Sequence, residues 1–173
     1  GTLATTFQNI STTDYPDWKA FVSYGSNAGT AEALTRTRMN VPWNNIVLKG
    51  QGNPNLILCG TATEETYLEM CSSMSLTVNP TKLDAAGNWT GPTFRDCTIL
   101  SDPTYPEGRM EFIDTSVIQI HEDGPSDWIP GDVGILQKIA GYLNYVAEYA
   151  WFFNIVCLNR GKVGSLRDIT TVT

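Results

Sequence analysis

The sequence predicts an α+β domain. Three observations point there. Helical periodicity is confined to the first half, strand-like runs follow one another in the second, and no regular strand–helix–strand alternation appears. With 173 residues, 42% of them hydrophobic, the chain suits one domain with a sizeable core.

The elements follow in order. Residues 1–29 are rich in Thr, Ser, Gly and Asn and read as irregular structure, with a short segment around Trp18 to Val22. Thr30 suits a helix N-cap, and Leu34, Met39, Trp43, Ile46 and Val47 follow at helical spacing. Pro42 predicts a kink or a restart, and Lys49-Gly50 a stop. Residues 56–59, Leu-Ile-Leu-Cys, form a continuous apolar run expected to be a strand buried on both faces. After Gly60, residues 63–74 read as a helix with Tyr67, Leu68, Cys71 and Met74 on its apolar face. Glu64 and Glu65 lie in its first turn, favouring the helix dipole.

Turn chemistry returns at Asn79-Pro80, Ala86-Gly87-Asn88 and Gly91-Pro92. Residues 94–100 and 109–120 then read as strands, the second interrupted by a turn at Asp114-Thr115-Ser116. Ser101-Asp102-Pro103 and Pro106-Glu107-Gly108 make the loop between them. A long polar loop is expected from His121 to Gly134. Residues 137–158 keep β-branched and aromatic side chains throughout and read as strands rather than helix. Gly161 to Gly164 reads as a turn, and residues 165–173 as a last strand-like run.

Charge and composition exclude several classes. The net charge is −7, from 11 basic and 18 acidic residues, so a basic nucleic-acid footprint is absent. The strongest basic cluster, Arg160, Lys162 and Arg167, reads as a solvated loop. No apolar run approaches the ~20 residues of a membrane span. The N-terminus shows neither the charged nor the apolar region of a signal peptide, and without an initial methionine the chain reads as processed or truncated. Cys59, Cys71, Cys97 and Cys157 show no zinc-ligand spacing and read as small buried hydrophobes. The glycosylation sequons at Asn9 and Asn88 matter only in a secreted chain, which nothing here suggests.

A search for chemistry finds two candidates. The first is the strand–glycine–helix unit at Gly60, the way many phosphate cradles begin. Such a cradle usually takes more than one glycine, and none of the phosphate-binding or nucleophile-elbow motifs is present. The second is the single histidine, His121, beside Glu122, Asp123 and Asp127. A base or metal ligand needs partners, and no second histidine exists; the acidic spacing does not match a calcium loop. No catalytic, cofactor-binding or metal residue is assigned. The aromatic series Tyr142, Tyr145, Tyr149, Trp151, Phe152 and Phe153 lacks interleaved basic residues, which favours core or subunit-interface packing over stacking on bases.

The order of motifs says more than any one of them. Trp18 in a polar lead-in precedes a helix. Gly52-Asn53-Pro54-Asn55-Leu56-Ile57-Leu58-Cys59 precedes a helix with Tyr67. Then come Thr93-Phe94-Arg95-Asp96-Cys97-Thr98-Ile99-Leu100-Ser101-Asp102 and Pro106-Glu107-Gly108-Arg109-Met110-Glu111-Phe112-Ile113-Asp114. The chain closes with Trp151-Phe152-Phe153-Asn154-Ile155-Val156-Cys157-Leu158-Asn159-Arg160 and Gly164-Ser165-Leu166-Arg167-Asp168-Ile169. This series, from Gln8 to Ile169, resembles the C-terminal half of tailed-bacteriophage major capsid proteins. Asp96 stands where that family often has a small or apolar residue.

The resemblance implies a capsid-type fold, with an axial-domain sheet flanked by helices. It implies one capsid-type unit over residues 1–173, with about 24–158 in the axial domain and 1–23 and 159–173 contributing to the peripheral domain. The family's N-terminal arm, extended loop and spine helix would lie upstream. It further implies a structural protein without catalytic residues or cofactors. Copies would form pentamers and hexamers, with other head proteins as further partners, in an icosahedral head that encloses DNA without reading its sequence. That head would be a virion component assembled in the host cytoplasm. An encapsulin-like compartment shell is the alternative the same fold allows. A soluble ligand-binding or enzyme domain using the Gly60 turn and the His121 acidic loop is the alternative of another class.

Overall fold

The computed structural model describes residues 6–7, 10–25, 29–74, 82–83, 89–90, 92–130, 134–139, 141 and 144–172. The first elements are β1 (Thr6–Phe7), β2 (Ile10–Ser11), β3 (Phe21–Ser23), α1 (Arg36–Leu48), β4 (Leu56–Cys59) and α2 (Thr61–Ser73). Then come β5 (Lys82–Leu83), β6 (Trp89–Thr90), β7 (Thr93–Phe94), β8 (Cys97–Ser101), β9 (Met110–Ile113), β10 (Ile118–Glu122) and β11 (Asp127–Trp128). The last are β12 (Gln137–Lys138), β13 (Tyr145–Val146), β14 (Tyr149–Ala150), β15 (Phe153–Cys157) and β16 (Val163–Leu166). The turns expected at Asn79-Pro80 and Ala86-Gly87-Asn88, and the sequon residues Asn9 and Asn88, lie outside the described residues.

A six-stranded mixed sheet, ordered β3-β16-β9-β4-β8-β7, organises the chain. The α+β expectation holds: among the described residues two α-helices stand with this sheet, in which β3·β16 and β4·β8 are the parallel pairs. Register explains the core. Ile57 pairs with Phe112 and Ile99, and Cys59 pairs with Met110, which pairs with Leu166. Partners across a ladder share a face, so these side chains form one apolar surface. Met39 and Ile46 of α1 and Tyr67 and Cys71 of α2 join it in a single buried cluster.

Several expectations from the sequence are corrected. The strand at residues 56–59 alternates: Ile57 and Cys59 are buried, whereas Leu56 and Leu58 are half-buried. Its second face is shared with Glu111 and Ser165, which are polar. Helix α1 is capped by Thr35, whose Oγ1 accepts from Arg38 N at 3.2 Å, not by Thr30. Residues 31–34 are drawn instead toward the C-terminal segment, where Glu32 bridges Ile169 in parallel. The helix runs through Pro42 without a restart. Helix α2 buries Thr63, Tyr67 and Cys71 at four-residue spacing, and leaves Leu68 and Met74 exposed. Gly164 lies inside β16 rather than in a turn, where a Cβ would come within 3.0 Å of Ile46 Cδ1. All four cysteines are buried and unbridged, as expected. Arg160, Lys162 and Arg167 are half-buried rather than solvated.

The chain divides into two compact units. One runs to Val117 and resumes at Asn159; the other is Ile118–Leu158. A boundary thus falls after Leu158, and none falls near residue 23, because β3 shares its sheet with β16, β9, β4 and β8. The second unit is an antiparallel ribbon. β10 pairs with β15 from Ile118↔Cys157 to Glu122↔Phe153, β11 with β14, and β12 with β13. Its strands confirm the β reading of residues 137–158. The expected loop from His121 to Gly134 instead carries strand at His121–Glu122 and at Asp127–Trp128, and residues 131–133 lie outside the described residues.

Candidate functional site

The Gly60 turn leads from β4 into α2 as the sequence predicts, but its anion site is already filled. Glu107, from the loop before β9, sets its carboxylate against the first turn of α2. Oε1 accepts from Ala62 N at 3.1 Å, and Oε2 accepts from Thr63 N at 2.9 Å and from Thr63 Oγ1 at 2.8 Å. The Thr63 hydroxyl accepts in turn from Gly108 N at 2.9 Å. Burial alone would raise the Glu107 pKa; the hydrogen bonds from Thr63, Ala62 and Thr61 outweigh it and hold the carboxyl below its ordinary value. A Cβ at Gly60 would lie 2.5 Å from the Glu107 carboxyl carbon, so a side chain there would displace the carboxylate. What reads as a phosphate cradle is an intramolecular helix cap.

His121 lies on β10, exposed, with Nε2 3.3 Å from Gln119 Oε1. Glu122 accepts from Trp151 Nε1 at 2.9 Å, and Asp127 accepts from Trp128 N at 2.7 Å. The ribbon keeps these groups apart: successive residues on β10 face opposite sides, and Asp127 belongs to the next strand pair. The structure does not gather them into a site. Among the described residues no three His, Cys, Asp or Glu side chains group as a metal would require. Among them, too, no helix is long and apolar enough to cross a membrane.

A half-buried carboxylate that the sequence reading did not single out is Glu111 on β9. Its Oε1 accepts from Ser165 Oγ at 2.8 Å, and that hydroxyl accepts from Arg167 Nε at 3.1 Å. Burial raises the Glu111 pKa above its ordinary value, against the pull of Ser165, Tyr105, Arg167 and Arg109. Burial likewise pushes the Cys59 thiol up to about 12, with Glu64 and Glu107 adding to it. A thiol so protonated is a poor nucleophile.

The surface that stands out is apolar. On one side of the β10·β15 ribbon, Ile118 and Ile120 stand beside Ile155 and Phe153. Ile120 is 60% exposed, Ile155 55% and Phe153 51%. Trp151 stacks on Phe153 at 4.3 Å, and Trp128 meets Tyr149 edge-on at 5.1 Å. Tyr145, Tyr149, Phe152 and Leu158 are also exposed. The aromatic series therefore does not fill this chain's own core. Tyr142 lies outside the described residues.

No protein-family model matches the chain, and no curated protein does. Solved structures do. The cyanophage A-1(L) capsid asymmetric unit superposes with a TM-score of 0.73 over 97% of this chain, at 19% identity. The holo-SrpI encapsulin complex from Synechococcus elongatus PCC 7942 does so with a TM-score of 0.57 over 88%, at 12% identity. The chain thus has a phage-capsid-type fold, also seen in an encapsulin. It spans 56% and 55% of the lengths of those two chains, about half of each.

Proposed function

We propose that the chain is the shell-forming part of a tailed-bacteriophage major capsid protein, with a structural and non-enzymatic role. Copies join in pentamers and hexamers that tile an icosahedral head around DNA, assembled in the host cytoplasm and carried in the virion. One observation carries this reading: the superposition on a phage capsid subunit extends over 97% of the chain, both units included. The apolar ribbon supports it, since exposed apolar surface of that extent marks an interaction site. The acidic balance supports it too, because a net charge of −7 repels packaged DNA.

Sedimentation with light scattering, followed by negative-stain microscopy, tests it. Rings of five or six subunits, or closed shells, are expected. A monomer at every concentration that binds a nucleotide and loses that binding in Gly60→Val overturns it. The encapsulin superposition supports a compartment shell as a second reading. Particle contents separate the two: nucleic acid for a phage head, a protein cargo for a compartment.

A further inference from the structure

A cleft opens between α2 and the β7–β8 hairpin. Its volume is about 210 Å³, below the ~300–1,000 Å³ of small-molecule sites. That is room for one large side chain. Tyr67, Met70, Met74 and Phe94 supply apolar lining, and Tyr67 is fixed by donating its hydroxyl to Thr93 O at 2.7 Å.

Two cations, Arg36 and Arg95, also line it. Arg95 is held in place: its guanidinium lies 4.4 Å from the Trp43 ring centre, and Nη1 donates to Asn44 Oδ1 at 3.3 Å. Its backbone sits in the left-handed region, φ 48°, within the two-residue turn of the hairpin. Among the described residues neither arginine forms an ion pair. Prepositioned cations beside an apolar hole suit an anchor residue with a carboxylate next to it.

We propose that this cleft receives the ribbon of a second copy of the chain, with Trp128 as anchor and Asp127 as counter-charge. The inference rests on the shell reading and assigns that reading a contact. Charge and shape select the occupant. Trp128 is 45% exposed and directly follows Asp127, itself exposed. The other described tryptophans do not offer this pair: Trp18 and Trp43 are half-buried, Trp89 follows an asparagine and Trp151 an alanine. Each copy thus carries both a donor segment and an acceptor cleft, the arrangement of a head-to-tail contact, which forms a ring where its rotation closes.

Charge reversal in the full chain tests it, with assembly read by analytical ultracentrifugation and folding by circular dichroism. Arg95→Glu alone and Asp127→Arg alone should each weaken association between copies roughly tenfold or more. The double variant carries the pair reversed in every contact and should recover most of the loss. Arg36→Glu replaces Arg95→Glu if the latter unfolds. Trp128→Ala should weaken association without changing the melt. Wild-type assembly that is indifferent to both reversals, or a double variant no better than its singles, overturns this contact alone. A wild type that stays monomeric overturns the shell reading and the contact with it.

Discussion

Replacing Glu107 tests whether a side chain from another loop supplies the cap of α2. Gly60 at the N-cap has no side chain to offer. Glu107 supplies it, with three hydrogen bonds from the first turn. Loss of a cap costs about 0.5–2 kcal/mol, and loss of a negative charge at a helix N-terminus about 0.3–1 kcal/mol. The two overlap, and Glu107 is solvent-accessible, so water and salt recover part of the loss. Glu107→Ala should therefore cost about 1–2 kcal/mol, and Glu107→Gln, which keeps an acceptor oxygen, roughly half of that. Urea unfolding followed by circular dichroism measures both. The pH dependence supplies the sign. The folded carboxyl titrates below its ordinary value of 4.5. Its contribution is therefore complete above that value and is lost as pH falls through the folded pKa. The gap between wild type and Glu107→Gln should be constant at neutral pH and close in acid. A Glu107→Ala variant as stable as wild type, or a gap that widens on acidification, refutes the cap.

Four further outcomes are expected. Glu111 should behave in the opposite sense: with its folded pKa raised, its contribution is complete below 4.5 and lost as pH rises through the folded value. Glu111→Gln should flatten that part of the stability–pH curve in calorimetry. Arg38 donates to the carbonyls of Glu32, Ala33, Arg167 and Asp168 at 2.8–3.2 Å. Arg38→Met should cost about 2–4 kcal/mol in chemical denaturation, and Lys should not rescue it because it lacks the planar fork. Asp96 sits at φ 67° in the hairpin turn, so Asp96→Gly should raise the melting midpoint by relieving about 1 kcal/mol. Phe112 is fully buried against Phe94 at 6.4 Å, and Phe112→Ala should cost about 3–5 kcal/mol in urea unfolding.

What the sequence disclosed was local. The strand at residues 56–59 and the turn after residue 113 are encoded by neighbours in the chain, as is the β character of residues 137–158. What it concealed depends on residues far apart. Thr30 is as good a cap as Thr35 by local chemistry; the choice is made by Asp168 and Ile169, more than 130 positions away, which pair with Glu32 and order residues 31–34. Glu107, 44 positions beyond Thr63, is likewise invisible as a cap to any window containing α2. The same distance effect made the Gly60 turn a candidate at all, because a helix start without its cap looks like an empty anion site.

The ribbon shows a second limit, which concerns the partner rather than the distance. The aromatic series of residues 142–153 reads as core or subunit-interface packing, because such a pattern records that a side chain prefers cover. It does not record which molecule provides it. An isolated two-stranded ribbon is marginally stable in water, and this one leaves its apolar side exposed within the chain. In the proposed shell the cover comes from other copies, with Asp127 and Trp128 of one set against Arg95 and Arg36 of the next.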